Sequence, residues 1–460
     1  VEEGEEMKRN LMKRGRSKPD GQFNLRQAIT RAVCLAAMAV STRAMAADEA
    51  LRWSGDVDAG ANKLFRPIVF VHGFAGSGEQ YERPAKLFES NGYPPTWINV
   101  YDYNSMGPSG GAEPLDKFID AVRARTGFDK IDLIGHSRGT GVSKDYLSDP
   151  KRAAKVAHYA NIAGRAAGNE GGVPTLVIGS KGDKIAGPGT AREGAQHVVL
   201  EKPDHVGAAT GTESFEKVFS FFNGGKTAQT LDVRPQEPIA VGGFVKIFGP
   251  NTPLTGAIME VYEIAADTGR RQHEQADARF TVEKDGRWGP FRAQPGQHYE
   301  FCLVASGGTR PIHFYREPFE RTDLLVYLKT RDPKDAATVR LEKAFNLTDD
   351  SSMMVVSQLN GAIVAGRDSL KVNGTEIATD KIAPERGTKV GFYLFDANQN
   401  KKTDATLPEG GMWSMPFITA ADVYVPTAKP ETITFDLNGH VLHVPNWKAA
   451  SEGTIFVTFN

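Results

Sequence analysis

Ser137 stands in Gly135-His136-Ser137-Arg138-Gly139, directly after the apolar run Lys130-Ile131-Asp132-Leu133-Ile134 and before a stretch that reads as helix. A serine at a strand-to-helix turn, with glycine two residues to either side, is the arrangement of a nucleophile for acyl chemistry. The glycines permit a sharp turn that exposes Oγ, and the amide of Arg138 then points from the helix N-terminus toward a developing oxyanion. A serine hydroxyl is a poor nucleophile until a base takes its proton and an acid orients that base. Around a turn of this type the partners follow in the order serine, acid, histidine.

Three histidines of this half follow the serine: His158, His197 and His205. His197 falls inside an expected strand, Gln196 to Leu200, and His158 comes too early for an acid to precede it. His205, in the loop Lys202-Pro203-Asp204-His205-Val206-Gly207, is therefore the expected base. Asp183 lies in the loop after the strand-like Thr175 to Gly179 and fits the place of the acid. Its competitor Asp204 adjoins His205 and would have to curl back onto Nδ1. A second oxyanion donor is expected from the backbone amide of Phe74, in Val71-His72-Gly73-Phe74-Ala75-Gly76, with His72 packed beneath the site. Arg138 adds a charge beside the nucleophile.

The elements that must carry these residues follow from the pattern around them. From Phe65 to about Gly225 short apolar runs alternate with helix-like stretches, as in a doubly wound α/β domain with a parallel sheet. Strands are expected at Pro67 to Val71, Thr96 to Val100, Lys130 to Ile134, Val173 to Gly179 and Gln196 to Leu200. Helices are expected at Glu79 to Asn91, Leu115 to Arg125, Gly139 to Leu147 and Glu213 to Phe222. The stretch Tyr101 to Pro114 is a flap too short for a large helical lid, which implies a fairly open site.

After Gly224-Gly225 the sequence turns to β-branched and aromatic runs separated by Gly, Pro, Asp and Asn, so the rest reads as all β. Phe244 to Phe248, Ile258 to Ile264, Phe280 to Glu283, Tyr299 to Val304 and Leu324 to Leu328 suggest one sandwich, with a hairpin turn at Asp285-Gly286 and a charged linker at Lys329 to Asp335. A second β unit includes Glu431 to Leu437 and His440 to Val444 around the hairpin signal Asn438-Gly439. The expected division is a signal peptide over 1–46, a catalytic domain over 47–225 and β-rich units over 226–331 and 332–460.

The signal reading rests on basic residues from Lys8 to Arg31, a short apolar run from Ala32 to Val40 and the small-residue cleavage site Ala44-Met45-Ala46. The protein is thus expected to be secreted, to the periplasm or beyond. Of its two cysteines Cys34 would leave with the signal, and Cys302, in a strand-like run, is expected to be a small buried residue. A formal net charge of −1 gives no bulk field for nucleic acid. No cofactor motif and no zinc-type His/Cys cluster is evident. Phe395 to Asp404 spaces oxygen side chains like a calcium loop, but Lys401 replaces the turn glycine and no glutamate closes the twelfth position. An Asx-rich turn is the plainer reading.

Through His72-Gly73-Phe74, Gly135 to Gly139, Asp183 and Asp204 to Gly207, residues 65 to 225 resemble the compact Bacillus-type lipases of the α/β-hydrolase superfamily. The whole chain past residue 60 also resembles the Archaeoglobus type of lipase with a β-rich C-terminal region, through His313 to Phe319, Val372-Asn373-Gly374 and Met415 to Asp422. In the archaeal type the acid follows the strand after the nucleophile helix. Here that stretch is Asn161-Ile162-Ala163-Gly164-Arg165, with no carboxylate, which returns the acid to Asp183. The resemblance implies a lipase or esterase acting on a lipid or other ester, with β units that engage substrate. A polyester or polyhydroxyalkanoate depolymerase, an acyl transferase and an inert hydrolase domain in a binding protein are the alternatives.

Overall fold

The computed structural model describes residues 65–107, 111–305, 310–331 and 345–460. The expected signal segment lies outside the described residues. Strand and helix alternate first: β1 (Ile68–Val71), α1 (Glu82–Ser90), β2 (Ile98–Tyr101), α2 (Ala112–Thr126), β3 (Ile131–His136), α3 (Arg138–Leu147) and α4 (Pro150–Ala153). Then come β4 (Val156–Ile162), β5 (Thr175–Ser180), β6 (Gln196–Leu200), α5 (Gly207–Thr210) and α6 (Thr212–Phe222). The six strands form one parallel sheet in the order β2-β1-β3-β4-β5-β6. Both faces are covered, which is why its central strands read as continuous apolar runs. Phe70, Ile134 and Ile178 pack against Leu87, Phe88, Phe215 and Phe219 on one side. On the other, Val69, Val71 and Leu133 meet Leu115, Ile119 and Val142.

The remaining strands are β7 (Ile239–Ile247), β8 (Ile258–Ile264), β9 (Ala278–Thr281), β10 (Arg287–Ala293), β11 (His298–Val304), β12 (Ile312–Arg316) and β13 (Asp323–Thr330). After these come β14 (Met353–Gln358), β15 (Leu370–Val372), β16 (Thr375–Glu376), β17 (Gly391–Phe395), β18 (Ile418–Asp422), β19 (Thr432–Leu437), β20 (His440–Pro445) and β21 (Thr454–Phe459). An eight-stranded sheet, β18-β17-β14-β21-β12-β11-β8-β9, carries the three-stranded β10-β7-β13 on one face and the four-stranded β16-β15-β19-β20 on the other. The C-terminal strand β21 lies between β12 and β14, parallel to both, so segments on either side of residue 332 share this sheet.

Two local expectations change. The Asp285-Gly286 turn forms, with the Gly286 amide donating to Glu283, yet its flanking strands join different sheets: β9 pairs with β8 and β10 with β7. Crossing the intersheet core buries Val282 and Trp288, which a simple hairpin would not do. Lys329 and Thr330 end β13 and do not begin a linker, because they pair with Lys246 and Ile247. Residues 332–335 of that linker lie outside the described residues. Among the described residues no helix is long and apolar enough to cross a membrane.

Candidate active site

Ser137 sits between β3 and α3 with φ +51° and ψ −122°. Such a conformation costs a non-glycine residue about 1–3 kcal/mol and is held by its surroundings. The Ser137 amide donates to Ile162, and the Thr140 amide donates back to the Ser137 carbonyl. The turn tolerates no side chain at position 139, where a Cβ would lie 2.2 Å from the Val71 carbonyl oxygen. At Gly73 a Cβ would fall 2.9 Å from that of Ser137 itself. The two glycine runs thus let β1 and the elbow approach one another.

The structure brings Ser137, His205 and Asp183 into one hydrogen-bonded chain. His205 Nε2 is 2.9 Å from Ser137 Oγ, and His205 Nδ1 is 2.8 Å from Asp183 Oδ2. Asp183 Oδ1 accepts the amides of Ile185 and Ala186 at 2.7 and 2.9 Å. Burial pushes the Asp183 carboxyl up, but the His205 hydrogen bond and charge and the two amides outweigh it, holding the group below the usual carboxylate range. Asp204 is committed elsewhere. Its Oδ1 accepts the Val206 and Gly207 amides, and its Oδ2 accepts the Ala362 amide and faces Arg367. His158 pairs with Asp132, and His197 lies on the surface against Pro188.

Two further histidines are structural struts. His136 is buried and its pKa lowered to about 3, first by burial and then by the charge of His205. A neutral His136 accepts from Gln80 Nε2 at Nδ1 and donates through Nε2 to the His205 carbonyl, so it fixes the loop that carries His205. His72 is also buried and held at about 3 by burial. Its Nδ1 donates to Gly73, and its ring stacks on Tyr103 at 4.5 Å. Asn251, from the β half, donates to the carbonyls of Gly76 and Tyr103 and lies 3.2 Å from His72 Nε2, bracing the Gly73–Gly76 loop from outside. Among the described residues the amides of Phe74 and Arg138 donate to no acceptor.

A cavity of about 760 Å³ opens above Ser137. This lies in the range of about 300–1,000 Å³ usual for small-molecule sites. Its floor is Phe74, Ser137 and His205, but most of its wall comes from the β half. Phe314, Val355, Tyr393 and Phe456 project from one face of the eight-stranded sheet, and alternate residues Met354, Ile455 and Val457 point into the core behind it. Phe417, just before β18 and at φ +73°, lies with its ring 6.2 Å from that of His205. Buried Lys389 donates to the carbonyls of Trp413, Met415 and Ile418 and so fixes the segment bearing Phe417. The site is therefore walled, not open, as the short flap alone suggested. The flap is tied down as well: Arg138 Nη2 donates to the Gly107 carbonyl at 2.7 Å, which gives the elbow arginine a partner.

Two family models agree with this architecture. Residues 66–164 match the family model of the alpha/beta hydrolase fold, and residues 237–333 that of the lipase C-terminal domain. A further C-terminal-domain family model matches residues 342–460. Among solved structures, the mature Bacillus licheniformis lipase BlEst2 is 13% identical, covering 36% of this chain and 96% of that one with a TM-score of 0.29. Carboxylesterase CesB from Bacillus subtilis is 12% identical, covering 36% and 86% with a TM-score of 0.26. A predicted CIB-like hydrolase from Thermoplasma acidophilum is 19% identical, covering 36% and 89% with a TM-score of 0.27. The chain carries an α/β-hydrolase fold followed by β-rich sheets, and the family-model matches support an ester hydrolase.

Proposed function

We propose that the protein is a secreted carboxylic ester hydrolase, a lipase or carboxylesterase, that works through an acyl-enzyme on Ser137. The observation that carries this reading is the hydrogen-bonded chain Ser137–His205–Asp183 opening onto a mostly apolar cavity. Ser137 Oγ attacks the ester carbonyl while His205 Nε2 takes its proton. The amides of Phe74 and Arg138 receive the oxyanion, a contribution of about 2.7–4 kcal/mol per donor in comparable sites. Asp183 keeps His205 in the tautomer with its proton on Nδ1 and stabilises the imidazolium that forms. That imidazolium then protonates the departing alcohol, and water repeats the cycle on the acyl-enzyme.

The β-half wall supports an acyl or alkyl chain held within the molecule, by contact with Phe314, Val355, Tyr393 and Phe456. It favours a discrete lipid or ester over a polyester strand, which needs an open cleft. The division into a catalytic domain to residue 225 and two β units, and export directed by residues 1–46, belong to the same proposal. The test is hydrolysis of p-nitrophenyl esters from two to sixteen carbons by wild type and Ser137→Ala. A preference for chains long enough to reach the β-half wall, abolished in Ser137→Ala, is expected. Activity unchanged by Ser137→Ala would end the proposal.

A further inference from the structure

Tyr327 and Lys329 on β13, and Arg331 just past its end, are alternate residues of one strand edge, and all three line the cavity above Ser137. The first two have acidic partners from the α/β half. Tyr327 donates to Asp102 Oδ2 at 2.8 Å, and Lys329 pairs with Glu79, the carboxylate that lines the same cavity. Arg331 has no such partner: among the described residues its guanidinium meets aromatic rings and donates to no carbonyl or carboxylate. Its centre lies 5.2 Å from the ring of Phe345 and 5.4 Å from that of Tyr393. Ring contacts of this kind hold a cation in place and leave its N–H fork for an acceptor. Elsewhere in the molecule the buried arginines are matched, Arg316 by Glu82 and Arg321 by Glu89.

The position of Arg331 relative to the nucleophile follows from the wall itself. Phe417 borders His205, and its carbonyl accepts the amide of Gly391 at the start of β17. Tyr393 comes two residues further along that strand, about 7 Å away at the usual rise. Arg331, held against Tyr393, therefore stands on the order of 10–15 Å from His205. Val355 pairs with Tyr393 and lies with Phe456 in the apolar wall beside it. There a second cavity of about 280 Å³ adjoins the first, sharing Thr330, Arg331, Val355 and Phe456 and adding Arg310. No carboxylate lines this smaller cavity among the described residues. The path from Ser137 thus begins apolar and ends cationic. A guanidinium in such low-polarity surroundings gains most from a ligand that accepts two parallel hydrogen bonds and carries the opposite charge.

We propose that Arg331 receives an oxyanion, a carboxylate or a phosphate, at the far end of the substrate's acyl or alkyl chain, so that the preferred substrate is an anionic ester. This rests on the reading of Ser137 as the nucleophile and adds to it the chemical class of the substrate. The chain lies along Val355, Tyr393 and Phe456, and its charged end meets the guanidinium fork. A chain too short to reach would strand its anion against the apolar wall, so the preference sets in only above a threshold length. Lysine at this position would supply the charge without the fork.

The experiment compares kcat/KM of the full chain for p-nitrophenyl half-esters of dicarboxylic acids of increasing length with the same compounds capped as methyl esters. A second series, ω-carboxyalkyl butyrates against their methyl-capped forms, places the anion on the alcohol side, and ω-phosphate analogues distinguish the two oxyanions. In at least one series the anionic ester should be preferred above a threshold length. The ratio of anionic to neutral kcat/KM should fall about 10- to 100-fold in Arg331→Gln, chiefly through KM, and less in Arg331→Lys. Circular dichroism establishes that both variants are folded. Calorimetry on Ser137→Ala with a monomethyl dicarboxylate reads binding without turnover, and its heat should vanish when Arg331→Gln is added. Hydrolysis of neutral esters with no preference for any anionic one would overturn the proposal and leave the nucleophile standing. Arg331-dependent binding by a chain that hydrolyses no ester would support the proposal and remove the nucleophile. A preference that persists undiminished in Arg331→Gln and Arg331→Lys would also overturn it.

Discussion

Replacing Asp183 by Asn tests the geometry behind the proposed mechanism, because the surrounding amides dictate how the new side chain must sit. The Ile185 and Ala186 amides approach one carboxylate oxygen at 2.7 and 2.9 Å, so the asparagine must keep its carbonyl oxygen there. Its NH₂ group then faces His205 Nδ1, where the wild-type oxygen lies 2.8 Å away. The imidazole responds by accepting at Nδ1 and carrying its proton on Nε2, the tautomer that cannot take a proton from Ser137. Flipping the amide to rescue the tautomer would set its NH₂ against two part-buried N–H donors, at about 1–3 kcal/mol each. The barrier should therefore rise by about 2–6 kcal/mol, a loss between roughly thirtyfold and 10⁴-fold in kcat/KM. The same exchange in a serine protease costs about 10⁴-fold. The assay is kcat/KM for a p-nitrophenyl ester, with circular dichroism to show that the variant is folded. Asp204→Asn, whose oxygens serve the Val206, Gly207 and Ala362 amides, should lose less than about tenfold by the same measure. A loss under tenfold for Asp183→Asn, or a larger loss for Asp204→Asn, would refute the assignment of the acid.

Other consequences follow from the same contacts. His72 and His136 titrate at about 3 in the folded protein against an ordinary 6.5, so their stabilisation is present above pH 6.5 and is lost as pH falls toward 3. Each contributes a slope of up to about 1.4 kcal/mol per pH unit, so Tm should drop steeply in that window and less steeply in His136→Asn; an unchanged slope would contradict the buried neutral state. A chain ending at Gly225 should fail to fold stably and lose activity even on short esters. Buried Glu82 and Glu89 would lose their partners Arg316 and Arg321, and the His72 loop would lose Asn251. Soluble, active protein from that truncation would show the β half to be dispensable. Phe417→Ala should alter discrimination among esters that differ only in the alcohol, because Phe417 borders His205, which in the proposed mechanism protonates the leaving group. Deacylation of a common acyl-enzyme should be unchanged, and equal effects on both steps would argue for a merely structural role.

The α/β half was largely legible because its logic is local. Ser137 announces itself through two glycines after a β run, and the order of Asp183 and His205 follows from loop positions after successive strands. β4 was not, since Val156–Ile162 carries a histidine, a tyrosine and an asparagine where its neighbours carry β-branched residues. The roles of His136 and Asn251 were hidden for another reason. His136 reads as part of the elbow until Gln80 and the His205 carbonyl are seen on its two nitrogens, and Asn251 lies about 180 residues from its partner His72. The cavity wall was hidden most deeply. It is built from alternate residues of β12, β14, β17 and β21, strands made neighbours by the insertion of the last six-residue strand between two earlier ones. Non-local parallel pairing of that kind leaves no periodic trace in sequence.

The central claim is a covalent acyl-enzyme on Ser137, and a pre-steady-state burst with a p-nitrophenyl ester, followed by peptide mass analysis, tests it most directly. The account predicts a burst of about one equivalent of p-nitrophenol per chain, with the acyl group on the peptide containing Ser137 and neither signal in Ser137→Ala. Steady hydrolysis with no burst and no adduct, or an adduct on a different residue, would contradict it.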